Sequence, residues 1–402
     1  MAISTYINDT MKSKGAGVIR KMFEEGLRLK ALYGQDKVYD FSLGNPDLKP
    51  PKKVERAFKK LSSSSEENYH GYMPNAGYDF ARQAMADKTS KEQGVKVEKD
   101  CVVMAVGAAG ALNVLLKAIT NPGDNIIVPA PYFTEYNHYV NNASGILVPA
   151  VSNEDFSLNI EKISSLINEK TAAVIINSPN NPTGRIYSQK EMEDLAGLLN
   201  EKAKVFGRKA YLILDEPYRQ IVYEGKKVVS AFPLYDSSVV VTSFAKNLSL
   251  PGERIGYIAV NPACPDKADL VAACIFCTRI LGFVNAPAIQ QRVVSTTWDS
   301  DVDFSLYEKR RNEITAIMDE AGIEYAKPDG AFYLWCKAPS AFNGDDMAFC
   351  DYLKKYNILC APGSGFCGKG WIRLAYCASE KTILSSRQAF IKAMADLKNS
   401  NC

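Results

Sequence analysis

Short apolar runs recur through the middle of the chain: "CVVMAV", "NIIVPA", "GILVPA", "AAVIIN", "AYLILD", "SVVVTS" and "RIGYIAV", all between about residue 100 and residue 260. Each is six or seven residues of largely β-branched or aliphatic side chains, and several show no polar alternation. Such a run reads as a strand buried on both faces. Between most of them lie stretches of helical periodicity, such as "AGALNVLLKAIT" and "SQKEMEDLAGLLNEKAKVFG". Strands alternating with helices predict an α/β fold with a mostly parallel seven-stranded sheet between helices. The last third, from "YEKRRNEITAIMDEAGIEYAKPDGAFYLWCKAP", reads helix, strands, helix, and predicts a smaller α+β domain. Near the start, "GVIRKMFEEGLRLKALYG" has helical periodicity and stops at Gly34. The expected division is a large domain over 45–295 and a small domain formed by 1–44 with 296–402. The short polar run "SSSSEEN" reads as a turn.

Composition narrows the class. The 402 residues are 23% charged and 47% hydrophobic, with a net charge of +3. That balance belongs to an ordinary globular protein and gives no reason to expect nucleic acid or an anionic membrane as partner. No apolar run approaches the length of about eighteen residues that would span a bilayer. The N-terminal "MAISTYINDTMKSKGAGVIRK" has no apolar export segment, so the expected compartment is the cytosol. Ten scattered cysteines read as reduced, buried thiols. "CIFC" (Cys274 to Cys277) has redox or zinc spacing but no second pair, and His70 and His138 lie far away in sequence, so no metal is expected.

Two glycine motifs fail on physical grounds. "GSGFCGKGW" (Gly363 to Trp371) has P-loop spacing, yet Gly370 replaces the metal-binding hydroxyl and "WIRLAY" reads as a strand. No G-x-G-x-x-G follows a strand, which removes a dinucleotide fingerprint. Nor is there a G-x-S-x-G elbow.

The chemistry collects at the carboxyl ends of the predicted strands, where open α/β sheets bind ligands. After the first strand, Ala108 and Ala109 start a helix and offer free N–H groups to a phosphate. After the second, "PYFTEY" supplies Phe133 as a flat apolar face. "SPNNPTG" (Ser178 to Gly184) projects Asn181. "AYLILD" ends in Asp215, a carboxylate that needs a partner or a proton, with Tyr218 just beyond. "VVVTSFAK" brings Ser243 and then Lys246, with Arg254 further on. A lysine directly after an apolar strand is costly to bury as an ammonium. Collected in one pocket, these groups suit a phosphorylated aromatic aldehyde, with Lys246 held as its Schiff base.

With "SPNNPTG", "DEPY" and "SFAK…PGERIGY" in order, the chain resembles the class I and II aminotransferases, fold type I enzymes that use pyridoxal 5'-phosphate. The resemblance runs from "YDFSLGNPDLKPP" to "WIRLAYCASE". It implies that Lys246 carries the cofactor and moves the substrate Cα proton, and that Asp215 keeps the ring nitrogen protonated. It implies further that Asn181 and Tyr218 bond the ring oxygen. Ser243, Arg254, Ala108 and Ala109 would hold the phosphate, and Phe133 would stack on the ring. Tyr72, in "HGYMPNAG", matches a tyrosine lent to the neighbouring subunit, which implies a homodimer with shared sites. Arg373 would take the substrate α-carboxylate, a bidentate fit that lysine cannot copy, and Gly44 would bring its backbone to the substrate. The implied reaction is ping-pong amino transfer from an L-amino acid to a 2-oxo acid such as 2-oxoglutarate. A C–S β-lyase and a non-catalytic ligand sensor on the same fold are the rivals. Two positions depart from the family pattern. Ala245 replaces a usual serine, and Ala109 stands where one aspartate-specific subgroup has lysine.

Overall fold

The computed structural model describes residues 3–12, 18–62 and 69–400. The polar run "SSSSEEN" lies almost wholly outside them, only Ser62 being described.

All seven apolar runs form strands of one sheet. They are β1 (Val102–Ala105), β2 (Asn125–Ala130), β3 (Ile146–Val151), β4 (Thr171–Asn177), β5 (Tyr211–Asp215), β6 (Ser238–Ser243) and β7 (Gly256–Val260). Their order across the sheet is β1-β7-β6-β5-β4-β2-β3. The pairs among β2 to β6 are parallel, and β7 alone runs antiparallel to both its neighbours. β3, at one edge of the sheet, is the only one of the seven with exposed residues.

Side-chain alternation sends the two halves of each strand into different cores. Met104, Val174, Ile176, Leu212, Leu214 and Val240 pack against the helices Asp79–Gln93, Gln189–Phe206 and Ala288–Thr297. Val103, Ala173, Ile175, Ile213, Val239 and Ile258 pack on the opposite face against Gly107–Ile119 and Lys267–Ile280. The helix Gln189–Phe206 begins with a capping box between Ser188 and Glu191 and stops at Gly207 in the left-handed region. "CIFC" lies within Lys267–Ile280, with Cys274 and Cys277 buried in this second core.

A second body is built on a four-stranded antiparallel sheet of β8 (Tyr325–Ala326), β9 (Tyr333–Lys337), β10 (Ala361–Pro362) and β11 (Trp371–Ala375), in the order β10-β11-β9-β8. The helices Ser305–Ala321 and Glu380–Ser400 cover it. "GSGFCGKGW" forms a short 3₁₀ turn leading into β11 rather than a helix, as its sequence implied. The segment ahead of the large sheet joins this body. The helix Val18–Tyr33 ends before Gly34, Tyr39–Asp40 pairs in parallel with Ile358–Leu359, and Arg310 donates to both oxygens of Asp47 at 2.6 and 3.0 Å. Those contacts carry "SLGNPD" across the carboxyl ends of the large sheet.

Gly256 lies where the sheet closely approaches the start of the helix Gly107–Ile119. A Cβ there would lie 2.9 Å from the Gly107 carbonyl carbon and would press on the Thr242 oxygen. Gly197, on the exposed face of Gln189–Phe206, has nothing within 4 Å of a new Cβ. Gly256→Ala is therefore expected to destabilise by about 1–3 kcal/mol, as overpacking does. Gly197→Ala should stabilise by about 0.5–1 kcal/mol through helix propensity. Urea unfolding of both variants checks this, and equal shifts in one direction would contradict it.

Candidate active site

The carboxyl ends of β1, β4, β5 and β6, closed over by the second body, enclose a cavity of about 1040 Å³. Eleven of the twelve site residues expected from sequence line it: Gly44, Ala108, Ala109, Phe133, Asn181, Asp215, Tyr218, Ser243, Lys246, Arg254 and Arg373. Tyr72 does not. It is 93% exposed and does not line this chain's cavity.

Strand register explains the grouping. Asn177 and Asp215 are paired ends of β4 and β5, and Asp215 neighbours Val241 two residues before Ser243. The Asn177 side-chain amide donates to the Asp215 carbonyl oxygen at 2.8 Å, and its own oxygen accepts the Asn181 N–H at 2.7 Å. One asparagine thus braces two functional loops. Asn181 Oδ1 in turn accepts from Arg373 Nη1 at 3.0 Å, while Arg373 Nη2 donates to the Ser42 carbonyl at 2.8 Å. Arg373 sits between the rings of Tyr333 and Phe366, 4.5 and 4.7 Å from their centres, and is only 3% exposed. It is no surface arginine, and its Nε has no partner.

Two groups are electrically frustrated. Burial pushes the Asp215 carboxyl up to about 7, against the opposing pull of the Tyr136 hydroxyl, which donates to Oδ2. Oδ1 is buried with no partner at all. Burial likewise lowers Lys246 to about 8, with Arg373 and Arg254 nearby adding to the effect and Cys377 opposing it. The amine donates to the Gly44 carbonyl at 2.9 Å and lies 5.4 Å from the centre of the Phe332 ring.

At the other end of the cavity, Gly107 adopts φ +69° and starts the helix Gly107–Ile119, which exposes the N–H groups of its first turn. Arg254, itself at φ 53°, lies over that turn; a Cβ on Gly107 would come within 2.9 Å of Arg254 Nη2. A guanidinium over a helix N-terminus is a cradle for an anion. Side by side, then, are an anion cradle, a flat ring at Phe133, an unpartnered buried carboxylate oxygen and an amine held near neutrality. That donor set fits pyridoxal 5'-phosphate, whose phosphate, ring, ring nitrogen and aldehyde each need one of these.

Four residues of the site were not singled out from sequence. Asn177 was the last letter of an apolar run. Tyr136 stood inside "PYFTEY" beside Phe133 and reads as core. Tyr333, whose hydroxyl lies 2.8 Å from that of Tyr218, came from the other body. Tyr6, on the helix Thr5–Lys12, reaches the cavity mouth and pairs with His138 Nδ1 at 2.8 Å. Among the described residues no group of His, Cys, Asp and Glu could hold a metal, and no helix is long and apolar enough to cross a membrane.

Fold and site define a fold type I pyridoxal-phosphate enzyme. The family model "Aminotransferase class I and II" matches residues 36–386, and the chain belongs to that family. An aminotransferase structure from Eubacterium rectale superposes with a TM-score of 0.93 at 36% identity, over 98% of this chain and 99% of that one. Aspartate aminotransferase from Thermus thermophilus with maleate gives 0.83 at 25% identity, over 98% and 100%. A probable aspartate/prephenate aminotransferase of Aquifex aeolicus is 28% identical over 90% of this chain and 92% of its own length. This chain is a pyridoxal-phosphate-dependent aminotransferase, acting on amino and oxo acids.

Asp215 also makes the cofactor-free protein pH-sensitive. Its native pKa lies above the ordinary 3.8, so between pH 3.8 and about 7 the native state holds the extra proton and stability falls as pH rises. Above about 7 the full cost of the buried charge is present. Asp215→Asn in the cofactor-free protein should therefore be more stable than wild type at pH 8, by up to about 4 kcal/mol for three pKa units. The difference should close towards pH 4. Chemical denaturation at both values measures it, and a gap independent of pH would contradict the assignment.

Proposed function

We propose that the enzyme transfers the amino group of an L-amino acid to a 2-oxo acid, 2-oxoglutarate being the expected acceptor, in two half-reactions at one site. The observation that carries this reading is the meeting of Lys246, Arg373 and the unpartnered Asp215 Oδ1 in one cavity. Bound there, pyridoxal 5'-phosphate supplies a ring that takes up the electron pair left when the substrate's Cα proton departs.

The chain's own residues do the rest. Lys246, with a pKa near 8, is poised to accept the Cα proton and would return it to the cofactor's aldehyde carbon, on the far side of the amino nitrogen. Asp215 faces the ring nitrogen and holds a proton there by its charge. Asn181 and Tyr218 take the ring oxygen. Phe133 lies against the ring, and Ser243, Arg254 and the N–H groups of Ala108 and Ala109 hold the phosphate. Arg373 orients the α-carboxylate, with Gly44 placing a carbonyl beside the amine. A Cβ at Gly44 would collide with the Tyr333 side chain, so the glycine also sets how closely that backbone approaches.

Three finer points complete the proposal. The large domain is taken as 45–295, and the small one as 1–44 with 296–402. The chain works in the cytosol as a homodimer in which Tyr72 reaches the phosphate of the neighbouring subunit. Its near-complete exposure in one chain, with Phe276 and Ile280 also exposed, supports that arrangement. Sedimentation showing a monomer at assay concentration would contradict it.

The relatives' names mention aspartate and prephenate, both of which carry a second carboxylate. Among the described residues lining the cavity, the lysines and arginines are Lys246, Arg254 and Arg373, each already assigned. The decisive experiment is a screen of acidic, neutral and aromatic amino donors against 2-oxoglutarate, following the cofactor's absorbance and glutamate formation. Acceptor-dependent glutamate from at least one donor is expected. Pyruvate and ammonia released without any acceptor would replace this reading with the β-lyase.

A further inference from the structure

We infer that Tyr136 is a positioning residue for Asp215: its hydroxyl fixes one carboxylate oxygen and thereby presents the other to the cofactor's ring nitrogen. The inference rests on the proposed role of Asp215 and adds a residue to it.

Tyr136 opens the helix Tyr136–Asn142 and is completely buried. Its hydroxyl donates to Asp215 Oδ2, and Oδ1 of the same carboxylate has no partner. The main chain of Asp215 is held separately, through its carbonyl, by the Asn177 amide at 2.8 Å. Rotation of the carboxylate is then the freedom that remains, and the Tyr136 hydroxyl removes it. The direction of donation is fixed as well, because burial and the neighbouring carboxylate push the phenol well above its ordinary range and keep it protonated. The ring has a second contact with the site. It meets Phe133 edge-on, with centres 5.6 Å apart and planes at 90°, so one side chain sets both the carboxylate and the face proposed to lie on the cofactor.

Loss of the hydroxyl would leave Oδ2 buried and unsatisfied. The carboxylate becomes more basic, and the proton shared with the ring nitrogen moves towards it. The ring then draws electrons less strongly, a defect in chemistry rather than in substrate binding.

The test uses Tyr136→Phe loaded with pyridoxal 5'-phosphate labelled with ¹⁵N in the ring. The wild-type resonance should lie at the pyridinium position, and that of Tyr136→Phe should move towards neutral pyridine. kcat should fall about tenfold to a hundredfold, the worth of a hydrogen bond to a charged group, while KM for the donor changes little. A variant with the wild-type resonance and kcat would overturn the inference and reduce Tyr136 to packing. Should Tyr136→Phe fail to fold, 3,5-difluorotyrosine at position 136 keeps the shape with a more acidic hydroxyl. As a stronger donor it should hold the resonance at the pyridinium position, and a move towards neutral pyridine overturns the inference. A wild-type enzyme whose own resonance is that of neutral pyridine would overturn the Asp215 role itself, a separate outcome.

Discussion

A carboxylate buried at the end of an apolar strand, with one oxygen unpartnered, is the constraint around which this site is arranged. Isolated, such a group gives up its charge rather than bear desolvation, and Asp215 is accordingly pushed up to about 7. Opposite it, Lys246 is pushed down to about 8 by the same burial. An acid made reluctant to ionise and an amine made reluctant to be protonated are held in one cavity. On the proposed reading, a bound cofactor would relieve both, its aldehyde at the amine and its ring nitrogen at the carboxylate.

The sheet makes this possible by register. Parallel strands entering from one side place Asn177, Asp215 and Ser243 along one rim, while the antiparallel β7 returns the chain past Gly107. Helices on both faces exclude water below the rim, and the second body closes it above with Arg373 and the Ser42–Gly44 segment. The site therefore depends on contacts between bodies, such as Arg373 to Asn181 and Lys246 to Gly44. Stability and function are opposed at this rim. The unrelieved charge of Asp215 weakens the cofactor-free protein, yet in the proposed reaction it is what the ring nitrogen would require.

Much of this was legible in the sequence because it is written in local patterns. Uninterrupted β-branched runs mark doubly covered strands, and a charged residue at or just past the end of such a run stands out against its neighbours. Asp215 and Lys246 are legible for that reason, and Asn181 through its place in "SPNNPTG". Tyr136 and Tyr333 are not, since a tyrosine among apolar residues reads as core and its hydroxyl partner lies far off in sequence. Asn177 was hidden as the end of a strand, although its role is to brace the next strand. Tyr6 comes to the cavity mouth from a helix whose own spacing names no partner. Tyr72 is the opposite case: the family resemblance alone marks it, and one chain's geometry leaves it facing solvent.

The most direct test of the central claim is to identify the lysine that holds the cofactor. Borohydride reduction of the loaded enzyme, digestion and mass mapping should find the pyridoxyl group on Lys246, and Lys246→Ala should carry no label and turn over no substrate. A label on another lysine, or full turnover by Lys246→Ala, would contradict the account.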